Sequence, residues 1–366
     1  TQTLYLELSG NDYGREGEPV WADTWDEVLA ALQEGKHYIG YRGTEDVVIT
    51  YAFTLEPEDY VFFNNGASLT IGNGGVVTVK SGRDIAAQLF LGASGTLTVA
   101  SGGTLTSNSQ DSNQRYYHTP QVHAGGVIIQ SGGTLTLPSC GDMHVYTSNG
   151  VFTLEQGGKV EIDSGWFHIG RNTSTEGESV FAGTVTVSGS ENRWGELEVN
   201  DSLSITATGS ITTSEKYVNV HIYGGLTNSG RITTGVRTSI SGRTENSGTI
   251  SVLANGRLEM MNTGYSVYNS GTITTASGAE ISIEGTVLNN TGSISGSGTI
   301  LARENMDFTD YENGIEYEEV SGENREPSHY SHYKFVADPA AEVEAIYFMG
   351  EVANQAGDTC TVTIKK

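Results

Sequence analysis

The sequence has little of several features that define other classes of protein, beginning with cysteine and proline. Its 366 residues include 2 Cys and 6 Pro, so we expect neither a disulfide framework nor a proline-rich linker. Cys140 and Cys360 lie far apart and lack the spacing of metal ligands. We therefore interpret both cysteines as structural and do not expect them to pair.

Basic residues are also scarce. The chain has 19 Lys and Arg against 44 Asp and Glu, a formal net charge of −25. Such a surface repels nucleic acid and anionic lipid, which excludes both as main partners. A solvated acidic surface is the ordinary interpretation of this charge.

Long apolar runs are absent as well. No stretch of about 18 apolar residues occurs, so the sequence predicts no transmembrane helix and no membrane insertion. Residue 1 is Thr and no signal-peptide pattern follows it. We therefore expect a mature or trimmed chain, with any anchoring part outside it.

What the sequence does have is glycine, in short repeats. Its 48 Gly residues are about double the typical share of roughly 7%. From residue 66 onward, a glycine turn is followed again and again by a short strand, as in Gly95-Thr-Leu-Thr-Val99 and Gly103-Thr-Leu-Thr106. Alternation sends Leu and Val to one face and Thr to the other. Strands this short need parallel stacking to form a continuous core.

The second half carries a different repeat, Asn-Ser-Gly followed by a short strand. It begins at Asn228, Asn246 and Asn269, and loosely at Asn290. Asparagine suits tight turns, and an asparagine in each coil can hydrogen-bond the next. The repeat predicts a ladder of stacked asparagine side chains.

The two ends differ from the repeats. Thr24-Trp25-Asp26-Glu27 fits a capping box, and Trp25, Val28, Leu29 and Leu32 share one helical face, with Gly35 as the stop. We predict three parts: residues 1–65 as an N-terminal cap with one amphipathic helix, 66–300 as stacked coils, and 301–366 as an acidic C-terminal cap or small β segment. No cofactor is expected, although the acidic run could bind calcium; it lacks an EF-hand pattern.

These repeats resemble the right-handed parallel β-helix of bacterial surface adhesins and autotransporter passengers. The segment Thr24–Leu32, before Ile39 and Val47–Ile49, resembles the N-terminal cap of pectate-lyase-like β-helices. The resemblance covers roughly residues 20–300. It implies an all-β, right-handed parallel β-helix with an N-terminal helical cap and a C-terminal β extension. It also implies an extracellular or cell-surface setting and transfers no catalytic residue.

Aromatic residues interrupt the repeats, and loops on a rigid rod are common binding sites. Arg115, Tyr116, Tyr117 and His118 lie in a polar insertion at 110–119, and Trp194 follows later. We predict ligand binding at these five residues. The alternative is that individual aromatics fill the core or cover coil ends. Trp166-Phe167-His168 and then Tyr217, His221 and Tyr223 also interrupt the coils.

The function that these patterns favour is a non-enzymatic adhesin or stalk segment that binds a host or bacterial surface glycan or protein through loops. The alternative is a carbohydrate-active β-helix enzyme, a lyase or glycoside hydrolase. No Asp pair stands out among the coils, so we predict no catalytic residue and no metal site. Two carboxylates share one outward strand face at Glu161/Asp163 and again at Glu196/Glu198. A glycosidase needs such a pair, but an ordinary solvated strand has the same arrangement. Rows of outward Thr side chains, as at Thr104–Thr106, resemble ice-binding surfaces. The simpler interpretation, which we favour, is that they form the ordinary outer face of solenoid strands.

Overall fold

The fold was analysed in a computed structural model. It describes residues 18–82, 85–109, 119–138, 141–170, 178–214, 216–260, 266–283, 287–303, 307–309, 316–318, 330–336 and 345–351. In chain order, the elements up to the middle are β1 (Val20–Ala22), α1 (Trp25–Gln33), β2 (Tyr38–Tyr41), β3 (Val47–Ile49), β4 (Ala52–Leu55), β5 (Tyr60–Phe63), β6 (Leu69–Ile71), β7 (Val76–Ser81), β8 (Gln88–Phe90), β9 (Thr96–Val99), β10 (Thr104–Ser109), β11 (Gln121–Ile129), β12 (Thr134–Leu137), β13 (Met143–Leu154), β14 (Lys159–Asp163), β15 (Trp166–Ile169), β16 (Glu178–Phe181), β17 (Thr184–Ser188), β18 (Gly195–Val199), β19 (Ser202–Ile205) and β20 (Ser210–Thr213).

The remaining elements are β21 (Val218–Ile222), β22 (Leu226–Asn228), β23 (Arg231–Thr234), β24 (Arg237–Ile240), β25 (Thr244–Asn246), β26 (Thr249–Val252), β27 (Arg257–Met260), β28 (Ser266–Asn269), β29 (Thr272–Thr275), β30 (Glu280–Ile283), β31 (Val287–Asn290), β32 (Ser293–Gly296), β33 (Thr299–Arg303), β34 (Asp307–Thr309), β35 (Glu316–Glu318), β36 (Tyr330–Val336) and β37 (Ala345–Glu351).

The strands stack as a parallel β-solenoid, so the predicted all-β solenoid is confirmed. Each coil contributes one strand to each of three faces. Face A runs from β2 through β5, β8, the start of β11, the start of β13, β15, β18, β21, β24, β27 and β30 to β33. Face B runs from β3 through β6, β9, the ends of β11 and β13, β16, β19, β22, β25 and β28 to β31. Face C is an 11-stranded sheet from β4 to β32.

Every strand pairing from β1 to β34 among the described residues is parallel, as Leu105 with Leu135 on face C illustrates, and the register of β11 with β13 shifts between Ala124 and Gly126. Alternation places most Leu, Ile and Val side chains of the strands in the interior and most Thr and Ser side chains outside, as predicted. Each fully buried aliphatic side chain contributes about 1.5–3 kcal/mol relative to exposure. At the far end, β35, β36 and β37 pair antiparallel, and β37 continues parallel to β33.

The helix lies where the sequence predicts it. Thr24 Oγ1 accepts the Glu27 amide, and the Glu27 carboxylate accepts the Thr24 amide, which completes the capping box. Val28 is buried, Gly35 follows with a φ of 75°, and α1 packs on β1 and β2. That the helix closes the end of the rod stays a prediction.

One column of inward side chains, at the ends of the face-B strands, changes from apolar residues to asparagine along the rod. We call it the corner column; its members in register are Ile71, Val99, Ile129, Leu154, Phe181, Ile205, Asn228, Asn246, Asn269 and Asn290. The first six are apolar and the last four are asparagine.

The predicted asparagine ladder is confirmed in this column. Asn228 Nδ2 donates to Asn246 Oδ1 at 2.7 Å, and the next two links, from Asn246 and from Asn269, are each 2.6 Å. The glycine of each repeat allows this stacking, because a Cβ on Gly248 would lie 2.2 Å from the Gly230 oxygen. The motif therefore needs both residues, one for the side-chain ladder and one for the close approach of the turns.

Candidate functional site on face A

The predicted binding residues divide into two groups. Arg115, Tyr116, Tyr117 and His118 lie outside the described residues. Trp194 lies within them, directly before β18, and its side chain is 43% exposed. Its ring packs edge-on against Tyr217, with the ring centroids 6.1 Å apart. The structure thus places Trp194 beside a strand of face A rather than on a projecting loop.

Three neighbouring strands of face A bring further polar and aromatic residues to Trp194. In β15, β18 and β21 the register pairs Trp166 with Glu196, His168 with Glu198, and Glu198 with His221. Alternation turns every second side chain outward, so these residues form two cross-strand rows. We define the face-A patch as Trp166, His168, Trp194, Glu196, Glu198, Tyr217, Asn219, His221 and Tyr223.

An ion pair holds the edge of the patch near Trp194. One Arg193 nitrogen lies 2.8 and 2.7 Å from the two Asp142 carboxylate oxygens. Asp142 also accepts the Trp166 amide at 2.8 Å. Both charged side chains are mostly buried. This contact joins two coils and fixes the backbone immediately before Trp194.

Glu198 lies at the centre of the patch. The Trp166 indole donates to one carboxylate oxygen at 3.3 Å, and His168 Nε2 lies 3.5 Å from the other. Burial raises the pKa of Glu198, and the Trp166 hydrogen bond opposes that shift. The carboxylate is therefore held in place by an aromatic donor rather than by a strong cation.

Glu196 is the second carboxylate of the patch. Burial, followed by the nearby charges of Glu198 and Asp142, raises the pKa of Glu196 to about 6. His221 Nε2 is 3.8 Å from Glu196, and the other ring nitrogen lies 2.6 Å from Ser239 Oγ. Burial is also the main cause of the lowered pKa of His221. Glu196 thus gains protons under mildly acidic conditions.

A stack of aromatic rings leads into the patch from earlier coils. His123 stacks on Tyr146 at 4.4 Å, and His144 stacks on His168 at 3.7 Å between ring centroids. His168 is only 2% exposed. Burial lowers the pKa of His168 to about 4, and burial with the neighbouring histidines lowers that of His144 to about 2. Both rings are therefore neutral at physiological pH, which permits the stacking.

The geometry of the patch suits binding to a polar ligand with apolar faces. Tyr223 is 46% exposed and directly follows β21, whereas Tyr217 directly precedes that strand. Exposed rings thus lie at both ends, with Glu196, Glu198 and Asn219 between them. No group of three or more His, Cys, Asp or Glu side chains that could hold a metal ion occurs in the described residues. Calcium binding by the acidic C-terminal segment stays a prediction.

The sequence indicates several of these residues separately but does not place them in one site. The outward pairs Glu196/Glu198 and Glu161/Asp163 are confirmed on their strands, and Phe167 is a core residue. Trp166 and His168, however, are outward members of a regular strand and do not form a loop. The signal that could have found the patch is the aromatic, acidic or amide side chain at every second position, which recurs in three successive coils.

Comparisons with known proteins identify no family for this chain. No family model matches the chain, and no curated protein matches it. A similar solved structure is the crystal structure of a TibC-catalysed hyper-glycosylated TibA fragment, at 15% sequence identity and a TM-score of 0.37. The similarity covers 74% of this chain and 92% of that chain. Among the described residues, no helix has both the length and the apolar character to cross a membrane.

Proposed function

We propose that this chain is an adhesin-type extracellular rod that binds a surface glycan through the face-A patch without cleaving it. The observation that carries the proposal is the pair of exposed rings, Trp194 and Tyr223, on either side of outward hydrogen-bonding groups. The rod supplies a rigid frame, because each patch residue belongs to a strand or lies directly before or after one.

Physical chemistry supports a sugar as the ligand. Aromatic rings offer large, rigid contact area to the C–H faces of a pyranose, and carboxylate and amide groups accept or donate to its hydroxyls. Preorganised side chains lose little entropy on binding. The net charge of −25 favours a neutral or basic glycan over an anionic one.

The test is a glycan array probed with the full chain and with Trp194→Ala. We expect the variant to lose most of the signal on each glycan bound by the parent. Trp21→Ala is the matched control, since Trp21 is 41% exposed at the start of the rod and lies outside the patch. Equal loss in both variants, or full retention by Trp194→Ala, would refute binding at the patch.

The insertion that contains Arg115, Tyr116, Tyr117 and His118 remains a proposed contact for the same or a protein ligand. The double variant Tyr116→Ala/Tyr117→Ala tests it on the same array. If the tyrosines bind ligand, binding falls while the unfolding temperature stays within about 1 °C of the parent, as for surface substitutions. A large loss of stability would identify them as packing residues.

Hydrolysis of a glycoside is the second candidate, because Glu196 and Glu198 are neighbours on one strand and Glu196 has the raised pKa of a general acid. Strand geometry separates alternate residues by about 6.6 Å. Carboxyl groups about 5–9.5 Å apart serve in glycosidases. The patch therefore has one feature of such an enzyme in addition to those of a binding surface.

A reducing-sugar assay distinguishes the two candidates. The parent chain is incubated with plant and mucin polysaccharides beside Glu196→Gln and the control Glu161→Gln, whose carboxylate is exposed on face C. Non-enzymatic binding predicts no product from any sample. Product from the parent and from Glu161→Gln, but not from Glu196→Gln, would replace the adhesin proposal with hydrolysis.

A further inference from the structure

A polar groove lies on the outside of face B, away from the face-A patch. Its volume is about 300 Å³, and it is lined by Thr227, Glu245, Asn246, Ser247, Tyr268, Asn269, Ser270 and Thr291. Thr227, Glu245 and Tyr268 are cross-strand neighbours on β22, β25 and β28. The serines follow in the turns. We call this feature the face-B groove.

The groove has a rigid base. Asn246 and Asn269 belong to the buried asparagine ladder, where an amide link of 2.6 Å joins them. The adjoining turns are fixed as well, since the Ser247 amide donates to the Asn228 oxygen and the Ser270 amide to the Asn246 oxygen, both at 2.8 Å. Such a base keeps the lining groups in fixed positions before any ligand arrives.

One wall is aromatic and acidic. Tyr268 is 36% exposed. Arg243 holds both groups of this wall: its guanidinium is 4.9 Å from the Tyr268 ring centroid, and one nitrogen is 2.5 Å from a Glu245 oxygen. Arg243 precedes Glu245 on its strand, whereas Ser247 and Ser270 follow at the other end. The arginine thus braces the wall from the side opposite the serines.

We propose that the face-B groove binds one neutral pyranose unit, as a second ligand site independent of the face-A patch. The Tyr268 ring contacts the C–H face of the sugar, and Glu245 with the serine hydroxyls hydrogen-bonds its hydroxyl groups. A volume near 300 Å³ is at the lower end of small-molecule sites, which range over about 300–1,000 Å³. It suits one ring rather than an extended chain.

Other ligand classes fit the groove less well. Tyr268 is the one aromatic side chain in the lining and no aliphatic side chain is present, so an apolar molecule would gain little apolar contact and would remove polar groups from water. An anionic sugar would face Glu245, and Arg243 is already paired with that carboxylate. A neutral polyhydroxylated ring satisfies the lining without an unpaired charge.

Saturation-transfer NMR on the full chain tests this site with the methyl pyranosides of glucose, galactose and mannose and with N-acetylglucosamine. We expect at least one of these sugars to receive saturation. Tyr268→Ala should weaken its binding by about two- to tenfold, the range for loss of one aromatic contact. Tyr268→Phe should retain binding, because the ring remains.

The control variant is Tyr51→Ala, which removes a 41% exposed tyrosine that lies outside both the groove and the face-A patch. Tyr223→Ala, in the face-A patch, is measured beside it. The groove predicts that Tyr51→Ala binds the sugar as the parent does. Binding lost in Tyr223→Ala but kept in Tyr268→Ala would assign the sugar to the patch and overturn the groove. If none of the four sugars receives saturation, the proposed binding at the face-B groove is also overturned.

Discussion

The earlier and later coils of this solenoid share one backbone ladder but fill equivalent positions with opposite chemistry. Up to β19 the corner column is apolar, and the outward rows of face A contain stacked aromatic rings. From β22 onward the corner column is asparagine. There the outward rows of face A carry linked Arg and Glu side chains, with Arg237 and Arg257 each 2.8 Å from Glu259. Parallel stacking therefore fixes where each side chain lies in its coil, but it does not determine whether that side chain is apolar, polar or charged.

Phe181 offers the sharpest test of the apolar half. It is fully buried, and its ring lies 6.0 Å from that of Phe152. Phe181→Ala should lower the free energy of unfolding by about 3–5 kcal/mol, through lost burial and the cavity left behind. Urea unfolding measures this change. Val180→Ala, an outward change on the same strand, should cost less than about 1 kcal/mol; similar costs for both would show that the column is not the core.

Asn246 is the matching position in the amide half. Asn246→Leu keeps a similar volume but breaks two ladder links and leaves buried amides of Asn228 and Asn269 without their partner. Each such group costs about 1–3 kcal/mol, so for the two groups together we expect a loss of about 2–6 kcal/mol in urea unfolding. Ser251→Ala, on the outward face of β26, is the control. A gain in stability on Asn246→Leu would mean that the ladder specifies register instead of stabilising the rod.

Acid should affect the aromatic half through its buried histidines. The pKa values of His144 and His168 in the folded chain, about 2 and about 4, lie below the value of about 6.5 for an unfolded histidine. Below pH 6.5 the unfolded chain therefore takes up protons that the folded chain refuses. As the pH falls below 6.5, each ring lowers the free energy of unfolding by up to about 1.4 kcal/mol per pH unit. For His168 this loss ends near pH 4, where the folded chain also takes up the proton.

Two acidic groups act in the opposite direction. Burial raises the pKa of Asp201, like that of Glu196, to about 6 in the folded chain, so protonation below pH 6 favours folding. His168→Gln isolates the histidine contribution. Relative to the parent, the variant should gain about 1.4 kcal/mol per pH unit between pH 6.5 and 4 in urea unfolding. A difference independent of pH would show that His168 is not buried as a neutral ring.

The ion pairs of the later half should give the smallest effect. The side chain of Glu259 is buried, but Arg237 and Arg257 are about half exposed, so water screens much of the attraction. Glu259→Gln should cost about 1 kcal/mol or less at low salt. This difference should shrink as NaCl rises from 0.1 to 1 M, since screening weakens the parent's pairs. A cost that persists in high salt would point to packing instead.

Repeats made most of the fold predictable from sequence. The capping box at Thr24, the alternating strands and the ladder from Asn228 depend on neighbours close in sequence or on one recurring interval. The face-A patch was harder to predict, because Trp166, Glu196 and His221 belong to three coils and meet through inter-coil register. Coil lengths vary along the chain, so the register that places them side by side depends on tertiary packing. The buried stacking of His144 on His168 has the same origin.

Binding at the face-A patch is tested most directly by comparing Trp194→Ala and Trp21→Ala on one glycan array, at equal concentration and with unfolding temperatures measured for both. The structure predicts that Trp194→Ala loses binding and keeps the unfolding temperature of the parent, while Trp21→Ala keeps binding. A folded Trp194→Ala that binds every glycan as the parent does would contradict a ligand site at the patch.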